Sequence, residues 1–377
     1  MRIAIFHNYL DNIGGAEMVA LYLARELSAD IYTTNINQEK IEKMGFSDVL
    51  PRIFSIGKLP KKAPFRQQLA FFKFRHLNLS AQYDFFIIAG DWAMSAAVNN
   101  QPNMWYVHSP LNELWQFYGF IKKNLLSNWK KIPYDIWVCF NRRLTLKYSK
   151  SVNIWVANSV NTRNRIKRFY HKEAQIIYPP VDTKKFDAFL KNKNRSNYFL
   201  SVNRLVKHKR IDLQLQAFRD LPNEKLIIVG SYEKGVSQFE DYKEYLEKIK
   251  PNNVEILNWL SSDEITKLYY NAKAFIATAK DEDFGLTPVE AMSYGKPVIA
   301  AGEGGYLETV VQGKTGVLIK DIDSKKIIEA VHIINSNLSK DENFYQQNSL
   351  KRAEEFSLDK FIKKIKKTME CFKKYEK

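Results

Sequence analysis

The stretch that decides the fold reads EDFGLTPVEAMSYGKPVIA and covers residues 282–300. A short loop containing a glycine leads into a segment with a helical pattern, and an apolar run follows. Thr287 can cap the helix, Pro288 suits the first helical position, and Glu290 stands at the third, which is the spacing of a capping box. The pattern predicts a helix capped by Thr287 and gives Glu290 a purely structural explanation.

Glu282 has no such explanation. It stands beside Asp283 in the loop, and two adjacent acids are unfavourable unless they hold cations or hydroxyl groups. The backbone N–H groups of Gly285 and Leu286, at the positive end of the helix dipole, suit an anionic phosphate. The carboxylates of Glu282 and Glu290 would then flank the phosphate and accept hydrogen bonds from sugar and ribose hydroxyls. The stretch therefore predicts a sugar-nucleotide site as well as a helix start.

Short apolar runs alternate with helical patterns, such as residues 16–27 and 160–170, along the rest of the chain. This alternation indicates parallel sheets covered by helices, whose ligands bind in the loops at the carboxyl ends of the strands. It restarts after YPPVD (178–182), so we predict two doubly wound α/β domains that meet at the stiff proline pair. The predicted strands are residues 2–6, 85–89, 104–107 and 153–157 in the first domain, and 198–202, 225–230, 254–257, 274–278, 297–301 and 316–319 in the second.

The composition is typical of a globular protein of the cytoplasm. The 377 residues are 45% hydrophobic and 26% charged, and they exceed what one ordinary core holds. The two cysteines, Cys139 and Cys371, lie far apart, so neither a disulfide framework nor a thiolate metal site is indicated. No apolar stretch approaches the ~20 residues that span a bilayer, and the N-terminus lacks the apolar run of a signal peptide. We therefore expect a cytoplasmic location.

The net charge of +17 is concentrated in two segments. Residues 57–78 carry six basic residues, four phenylalanines and no acid, and residues 122–150 carry eight basic residues and the single acid Asp135. Such patches attract phosphorylated substrates, anionic lipid surfaces or nucleic acids, and an ordinary solvated surface is the alternative. Because aromatic residues stand among the charges, we favour an anionic membrane surface and expect the 57–78 segment to meet a lipid-linked or anionic acceptor there.

Three further loops at strand ends carry candidate binding groups. Gly14 and Gly15 follow the first strand, where they form either a close approach to a ligand or an ordinary turn, and their spacing is not that of a nicotinamide site. His108 can donate to a hydroxyl oxygen, although an isolated histidine is as often structural. Arg204 and Lys209 flank a loop of the second domain. The planar guanidinium of Arg204 beside the compact ammonium charge of Lys209 suits a diphosphate. No metal-binding pattern of histidines or aspartates accompanies them, so we expect neither a metal nor a cofactor.

Taken together, these motifs resemble the family 4 retaining glycosyltransferases, which have the GT-B fold of two Rossmann-like domains facing across a cleft. The pair Glu282 and Glu290, with seven residues between them, is the signature of that family. The resemblance implies an acceptor-side domain (1–179), a nucleotide-sugar domain (180–355) and a C-terminal helix (356–377) that crosses back to the first domain. The matching motifs are GGAE (14–17), YVHSPLNELW (106–115), ANS (157–159), YPPVD (178–182), NRLVKHKRIDL (203–213), LNWLSSDEITKLY (257–269), EDFGLTPVEAMSYGKPVIA (282–300) and GGYLETVVQGKTGVL (304–318).

The resemblance also implies roles for individual residues. Glu282 would contact the donor hexose at the reacting centre, and Glu290 would hold the ribose. Arg204 and Lys209 would bind the diphosphate as it leaves, and His108 would meet the C6 hydroxyl of the transferred sugar. The remaining contacts would come from the backbone amides of Phe284, Gly285, Leu286 and Thr287, from Gly14 and Gly15 beside the diphosphate and acceptor, and from Gly230 and Trp259 near the base.

The motifs HSPLNELW (108–115), YPPVD (178–182) and the 282–300 stretch look most like those of the mannosyltransferases of O-antigen and related surface polysaccharides. The resemblance therefore implies a retaining, metal-independent hexosyltransferase of surface polysaccharide or glycoconjugate assembly. Among donors we favour GDP-mannose over UDP- and dTDP-sugars, and we expect a glycan or lipid-linked glycan acceptor, a peripheral position at the inner face of the membrane and no nucleic-acid partner. One alternative is a glycoside hydrolase that uses Glu282 with a second carboxylate. The other is a basic nucleic-acid-binding module, although no motif of such folds is present.

Overall fold

The chain forms two compact units, Met1–Tyr178 and Pro179–Lys377, each built on one parallel sheet. The computed structural model describes residues 1–12, 14–61, 64–183, 197–231, 237–258 and 260–375. Two parallel sheets flanked by helices confirm the predicted fold class. The crossing of the C-terminal helix to the first domain stays a prediction.

The sheet of the first unit has a buried centre. Its parallel strands are β1 (Ile3–Phe6), β2 (Asp30–Thr33), β3 (Ile53–Ser55), β4 (Phe85–Ile88), β5 (Asn103–Val107), β6 (Ile154–Ala157) and β7 (Gln175–Ile176). They lie in the order β3-β2-β1-β4-β5-β6-β7. Strands β1, β4 and β5 are buried along their whole length, as expected of strands that helices cover on both faces.

Helices of the first unit follow the strands and cover the sheet. They are α1 (Gly15–Leu27), α2 (Gln38–Lys43), α3 (Phe65–His76), α4 (Tyr118–Asn124), α5 (Asn128–Tyr148) and α6 (Val160–Tyr170), with 3-10 helices at Ser47–Arg52, Trp92–Val98 and Ser149–Ser151. Helices α3 and α5 share one hydrophobic core with the sheet. Phe71 of α3 contacts Trp92, which in turn contacts Trp137 of α5.

The second unit has a six-stranded parallel sheet. Its strands are β8 (Tyr198–Arg204), β9 (Lys225–Ser231), β10 (Val254–Leu257), β11 (Ala274–Ala277), β12 (Val298–Ala301) and β13 (Gly316–Ile319). The order is β10-β9-β8-β11-β12-β13, so the direction of winding reverses between β8 and β11. This is the Rossmann order, and the reversal opens a crevice at the carboxyl ends of β8 and β11, where such sheets bind ligands.

Helices of the second unit include the one in the opening stretch. They are α7 (Ile211–Arg219), α8 (Ser237–Ile249), α9 (Ser262–Asn271), α10 (Leu286–Ser293), α11 (Tyr306–Thr309), α12 (Ser324–Lys340), α13 (Gln346–Glu354) and α14 (Leu358–Tyr375), with a 3-10 helix at Lys207–Lys209. The chain segment that enters this unit is tied to its end, because the N–H of Val181 donates to the carbonyl of Phe356 over 2.9 Å. Phe361, Ile365 and Met369 stand four residues apart on α14 and are buried, which is typical of an amphipathic helix.

Every predicted strand is present with its ends shifted by at most two residues, but the sequence missed β2, β3 and β7. These strands are four, three and two residues long. Their burial is also incomplete, since β2 alternates between half-buried and buried positions and β7 is partly exposed. Short strands near a sheet edge lack the continuous apolar run that marks a central parallel strand.

Candidate functional site

Two loops of the second unit meet where the winding reverses. One loop follows β8 and contains Lys209, and the other follows β11 and contains Glu282. The buried hydroxyl of Thr278 donates to the carbonyl oxygen of Lys209 over 2.7 Å, and the N–H of Lys280 donates to the carbonyl oxygen of His208 over 2.8 Å. These hydrogen bonds fix the two loops to each other, so the side chains they carry have defined neighbours.

Lys209 and Glu282 form an ion pair at the centre of this junction. Lys209 Nζ lies 2.6 Å from Glu282 Oε2, and the exposed fractions of the two side chains are only 14% and 21%. Burial by itself would raise the pKa of Glu282, but Lys209, His208 and Arg204 together lower that pKa below its ordinary value. Glu282 is therefore an ionised carboxylate at neutral pH, surrounded by positive or hydrogen-bonding groups.

Arg204 and His208 complete the cluster. Arg204 ends β8 with its side chain exposed, and its charge acts on both Glu282 and His208. Burial, with the charges of Lys209 and Arg204, lowers the pKa of His208 to about 3, so the imidazole is neutral at physiological pH. The structure thus brings Arg204, Lys209 and Glu282 together as the sequence predicts. It adds His208, which sequence reasoning passed over inside a run of basic residues.

The start of α10 differs from the predicted capping box. The helix begins at Leu286 after Gly285, whose φ of +94° is in the left-handed region that favours glycine, and no side chain caps it. Thr287 is therefore already inside the first turn, and the prediction that it caps the helix is wrong. The first turn still leaves backbone N–H groups without intrahelical acceptors at this end of the crevice, as every α-helix does.

Glycines 304 and 305 pack directly on the loop of Glu282. The N–H of Gly305 donates to the carbonyl of Glu282 over 2.8 Å, and a Cβ on Gly305 would lie 2.3 Å from the Cα of Phe284. Phe284 is itself buried against Phe356, with ring centroids 5.4 Å apart. Gly305 on one side and Phe356 on the other therefore fix the backbone of this loop. The carboxylate of Glu282 and the amides that follow it consequently have a defined position.

Glu290 has a different partner from the one that a capping box requires. Its Oε2 accepts a hydrogen bond of 2.7 Å from the hydroxyl of Tyr269 on α9, and Tyr269 stacks on Tyr294 at 5.7 Å. Burial and the charge of Glu290 raise the pKa of Tyr269 well above its ordinary value, so this hydroxyl stays a donor. Glu290 is therefore held by a neighbouring helix and does not close the first turn of its own.

Of the two residues expected near the nucleotide base, the structure describes only Gly230. Gly230 is buried near the carboxyl end of β9, against the side chain of Leu205. Trp259 lies outside the described residues. The role of both residues stays a prediction.

In the first unit, His108 lies at the carboxyl end of β5. Its Nε2 is buried and has no hydrogen-bond partner in the part of the chain that the structure describes. Burial and the neighbouring His7 lower the pKa of His108 to about 3, which leaves a neutral imidazole with an unused ring nitrogen. A side chain in this state is suited to a hydrogen bond with a polar ligand.

Gly14 and Gly15 lie at the start of α1 and are exposed. The N–H of Gly14 donates to the carboxylate of Glu17 over 3.0 Å, and the charge of Glu17 also acts on His7. His7 directly follows β1 and is buried, with Nδ1 3.0 Å from the carbonyl of Tyr9. Sequence reasoning missed His7, although its place after a strand was a usable signal.

Glu113 is a second group that the sequence did not single out. Its Oε1 accepts a hydrogen bond of 2.9 Å from the indole of Trp92, and burial raises the pKa of Glu113. The sequence did contain a signal for this residue, since Glu113 is the one acidic residue between Asp91 and Asp135.

No cluster of three or more metal-ligating side chains occurs among the described residues. Across the same ranges, no helix is long and apolar enough to cross a membrane.

Comparisons with known proteins agree with this geometry. Residues 182–351 match the family model of the glycosyl transferases group 1. The chain is 28% identical to the alpha-1,3/1,6-mannosyltransferase ALG2 of Dictyostelium discoideum, with 84% of this chain and 86% of that protein covered. It is 27% identical to ALG2 of Candida glabrata, with 89% of this chain and 86% of that protein covered.

Solved structures support the fold. Anabaena Alr3699/HepE in complex with UDP-glucose superposes with a TM-score of 0.74 at 18% identity, covering 98% of this chain and 100% of that one. WaaG, a glycosyltransferase involved in lipopolysaccharide biosynthesis, gives a TM-score of 0.65 at 14% identity, covering 93% and 95%. The predicted family resemblance and the GT-B fold are confirmed, because residues 182–351 match the group 1 glycosyltransferase model and nearly the whole chain shares the fold of solved glycosyltransferases.

Proposed function

We propose that this glycosyltransferase moves a mannosyl residue from GDP-mannose to a glycan or lipid-linked glycan, with retention at the anomeric carbon and without a metal ion. The two relatives named above are alpha-1,3/1,6-mannosyltransferases. Their names support mannose as the transferred sugar. The proposal of a glycan or lipid-linked glycan as the acceptor rests on the same likeness.

The observation that carries the proposal is the cluster of Arg204, Lys209 and Glu282 where the winding reverses. A diphosphate brought to this point meets the Lys209 ammonium and the Arg204 guanidinium on one loop, and the amides at the start of α10 on the other. Transfer leaves a nucleoside diphosphate whose charge grows as the sugar departs. Cations held in place before the reaction stabilise that growing charge more than they stabilise the bound donor.

Glu282 is proposed to orient the donor sugar. As an ionised carboxylate it accepts hydrogen bonds from sugar hydroxyls, and Lys209 at 2.6 Å keeps it ionised despite its burial. The acceptor hydroxyl attacks from the face that the phosphate leaves, and its proton goes to the departing phosphate oxygen. Retention then needs no carboxylate nucleophile, which is consistent with a Glu282 already engaged by a lysine.

We propose that His108, in the first unit, makes a hydrogen bond to a sugar hydroxyl as a neutral imidazole. Its unused Nε2 and its lowered pKa suit contact with a hydroxyl without adding a charge. We further propose that Glu290, held by Tyr269, accepts from the ribose hydroxyls. Metal independence is proposed because the cations of the loop after β8 balance the diphosphate charge.

The state of Glu282 argues against its use as the general acid of a hydrolase. A glycosidase needs one carboxyl whose pKa is raised so that it can protonate the leaving oxygen. The pKa of Glu282 is lowered, and its oxygen is engaged by Lys209. An ionised, ion-paired carboxylate is a poor general acid.

Thermal-shift titration with a panel of nucleotide sugars tests the proposal. GDP-mannose should raise the melting temperature most, because we propose that it is the donor that binds the folded state most tightly. A ligand at a hundred times its Kd stabilises the folded state by about 2.7 kcal/mol. The product of transfer should keep the anomeric configuration of the donor by NMR, and EDTA should leave turnover unchanged. A larger shift with UDP-glucose would overturn the mannosyl assignment, and no shift with any nucleotide sugar would overturn the donor site.

A further inference from the structure

Helix α5 carries an apolar stripe on its outer face. Its four large side chains follow one another at helical spacing and are between 48% and 75% exposed: Trp129, Ile132, Ile136 and Phe140. The stripe is about 17 Å long at 1.5 Å per residue. The opposite face of α5 buries Val138, Asn141 and Thr145, so the helix already meets its own core and the stripe is additional. Single exposed apolar residues are ordinary, but a continuous row on one helix marks a contact surface.

Basic residues frame this stripe. Arg143 and Lys147 continue it through the last turns of α5, and both are exposed, as are Lys123, Lys130 and Lys150. The single acid of the segment, Asp135, is bound by Lys122 at 2.6 Å and by the hydroxyl of Tyr118. The surface around the stripe is therefore strongly positive.

Helix α3 presents a shorter stripe beside it. Phe65, Leu69 and Phe72 are exposed at helical spacing. The two helices are neighbours, since the rings of Phe71 and Tyr148 stack at 5.5 Å. This result refines the sequence expectation for residues 57–78, because Phe71 and Phe74 are buried in the core and Arg66 is paired with Asp11 at 2.6 Å. Only the outer face of α3 is available for contact.

We propose that the outer faces of α5 and α3 dock on the surface of an anionic lipid bilayer, with α5 lying in the plane of the interface. An apolar stripe that contains a tryptophan and is flanked by lysine and arginine is the pattern of an interfacial helix. The apolar side chains enter the boundary between headgroups and acyl chains, and the basic side chains meet anionic headgroups. A second copy of this chain is a poorer occupant, since a symmetric contact would bring the same basic residues face to face. The inference goes beyond the proposed reaction and does not depend on the donor.

Vesicle cosedimentation tests the surface. The full chain is mixed at low salt with vesicles of phosphatidylcholine alone, or of phosphatidylcholine and phosphatidylglycerol in equal parts. We expect binding to the second kind only, reduced by added salt. Ile136→Glu should weaken binding at least about tenfold, because it places a charge in the centre of the stripe. Replacing Arg143 and Lys147 by glutamine should cost about fivefold per residue.

A matched control is available in the second unit. Ile333 of α12 is also exposed, at 48%, and stands away from any such stripe, so Ile333→Glu makes the same chemical change at an unrelated helix surface. This variant should bind vesicles as the wild type does. The thermal shift of Ile136→Glu with GDP-mannose should equal that of the wild type, which separates failure of docking from failure of the donor site.

A second readout does not rely on a disruptive substitution. Cys139 is exposed on α5 beside the stripe, and the other cysteine, Cys371, is removable as Cys371→Ser. A polarity-sensitive fluorophore on Cys139 should shift to the blue when anionic vesicles are added. Absence of both vesicle binding and a fluorophore shift at low salt would overturn the proposal. So would vesicle binding that Ile136→Glu leaves unchanged, or a dimer in solution that Ile136→Glu dissociates without any binding to vesicles.

Discussion

Replacing Lys209 by methionine removes one charge from the centre of the proposed donor site while keeping most of the side-chain volume. Lys209 is the partner of Glu282 at 2.6 Å, and both side chains are mostly buried. The variant should lower kcat about a hundredfold, which corresponds to about 2.7 kcal/mol of transition-state stabilisation supplied by one preorganised charge. It should also cost about 1–3 kcal/mol of stability, because Glu282 is left desolvated without its cation.

The stability cost needs a control that leaves the site intact. Lys273 and Glu224 form an ion pair of the same length, 2.6 Å, with both side chains 16% exposed. They stand just before β11 and β9, at the amino ends of the strands and so at the opposite edge of the sheet from Lys209. Lys273→Met should therefore lose comparable stability and keep its kcat.

Steady-state kinetics and urea unfolding of the two variants decide the matter. We expect a large fall in kcat for Lys209→Met alone. If both variants lose stability equally and both keep near-normal turnover, the Lys209–Glu282 pair is structural and the proposed departure of the diphosphate loses its main support.

The remaining predictions concern the two buried histidines, the hydrogen bond between Tyr269 and Glu290, and the glycine packed on the loop of Glu282. Acidification from pH 6.5 towards 3 should destabilise the fold, because His108 and His208 stay neutral when folded but become protonated when unfolded. His108→Asn should therefore flatten the dependence of unfolding free energy on pH. An unchanged slope would contradict the burial of that imidazole. Tyr269→Phe, which removes the 2.7 Å hydrogen bond to Glu290, should raise the donor KM about tenfold with little change in kcat, and a loss in kcat alone would oppose a ribose contact. Gly305→Ala should lower the free energy of unfolding in urea by about 1–3 kcal/mol, because the new Cβ meets the backbone of Phe284. Gly119→Ala in α4 has open space around it and should cost no stability. Equal effects of the two substitutions would contradict the close packing of the loops.

The sequence was sufficient for the architecture because parallel strands buried on both faces leave continuous apolar runs. Strands such as β4 and β11 carry that signal plainly, with four consecutive buried apolar residues each. Strand β3, with only three residues and two of them exposed, carries no such signal. The grouping of Arg204, Lys209 and Glu282 was also predictable, because their loops follow neighbouring strands at one edge of a sheet.

Contacts between residues distant in sequence were not predictable in the same way. The spacing from Thr287 to Glu290 fits a capping box, but Gly285 can adopt a positive φ and starts the helix earlier. Glu290 can then accept from Tyr269, which stands on another helix. The lowered pKa of His108 arises from burial and from His7, which is far away along the chain and near it only in the folded unit.

A structure of the chain with a nucleoside diphosphate bound is the most direct test of the central claim. We expect the two phosphates within hydrogen-bonding distance of Lys209 Nζ, the Arg204 guanidinium and the first amides of α10, with Glu290 on the ribose. Phosphates bound elsewhere on the second unit, or held there through a divalent ion on carboxylates, would contradict it.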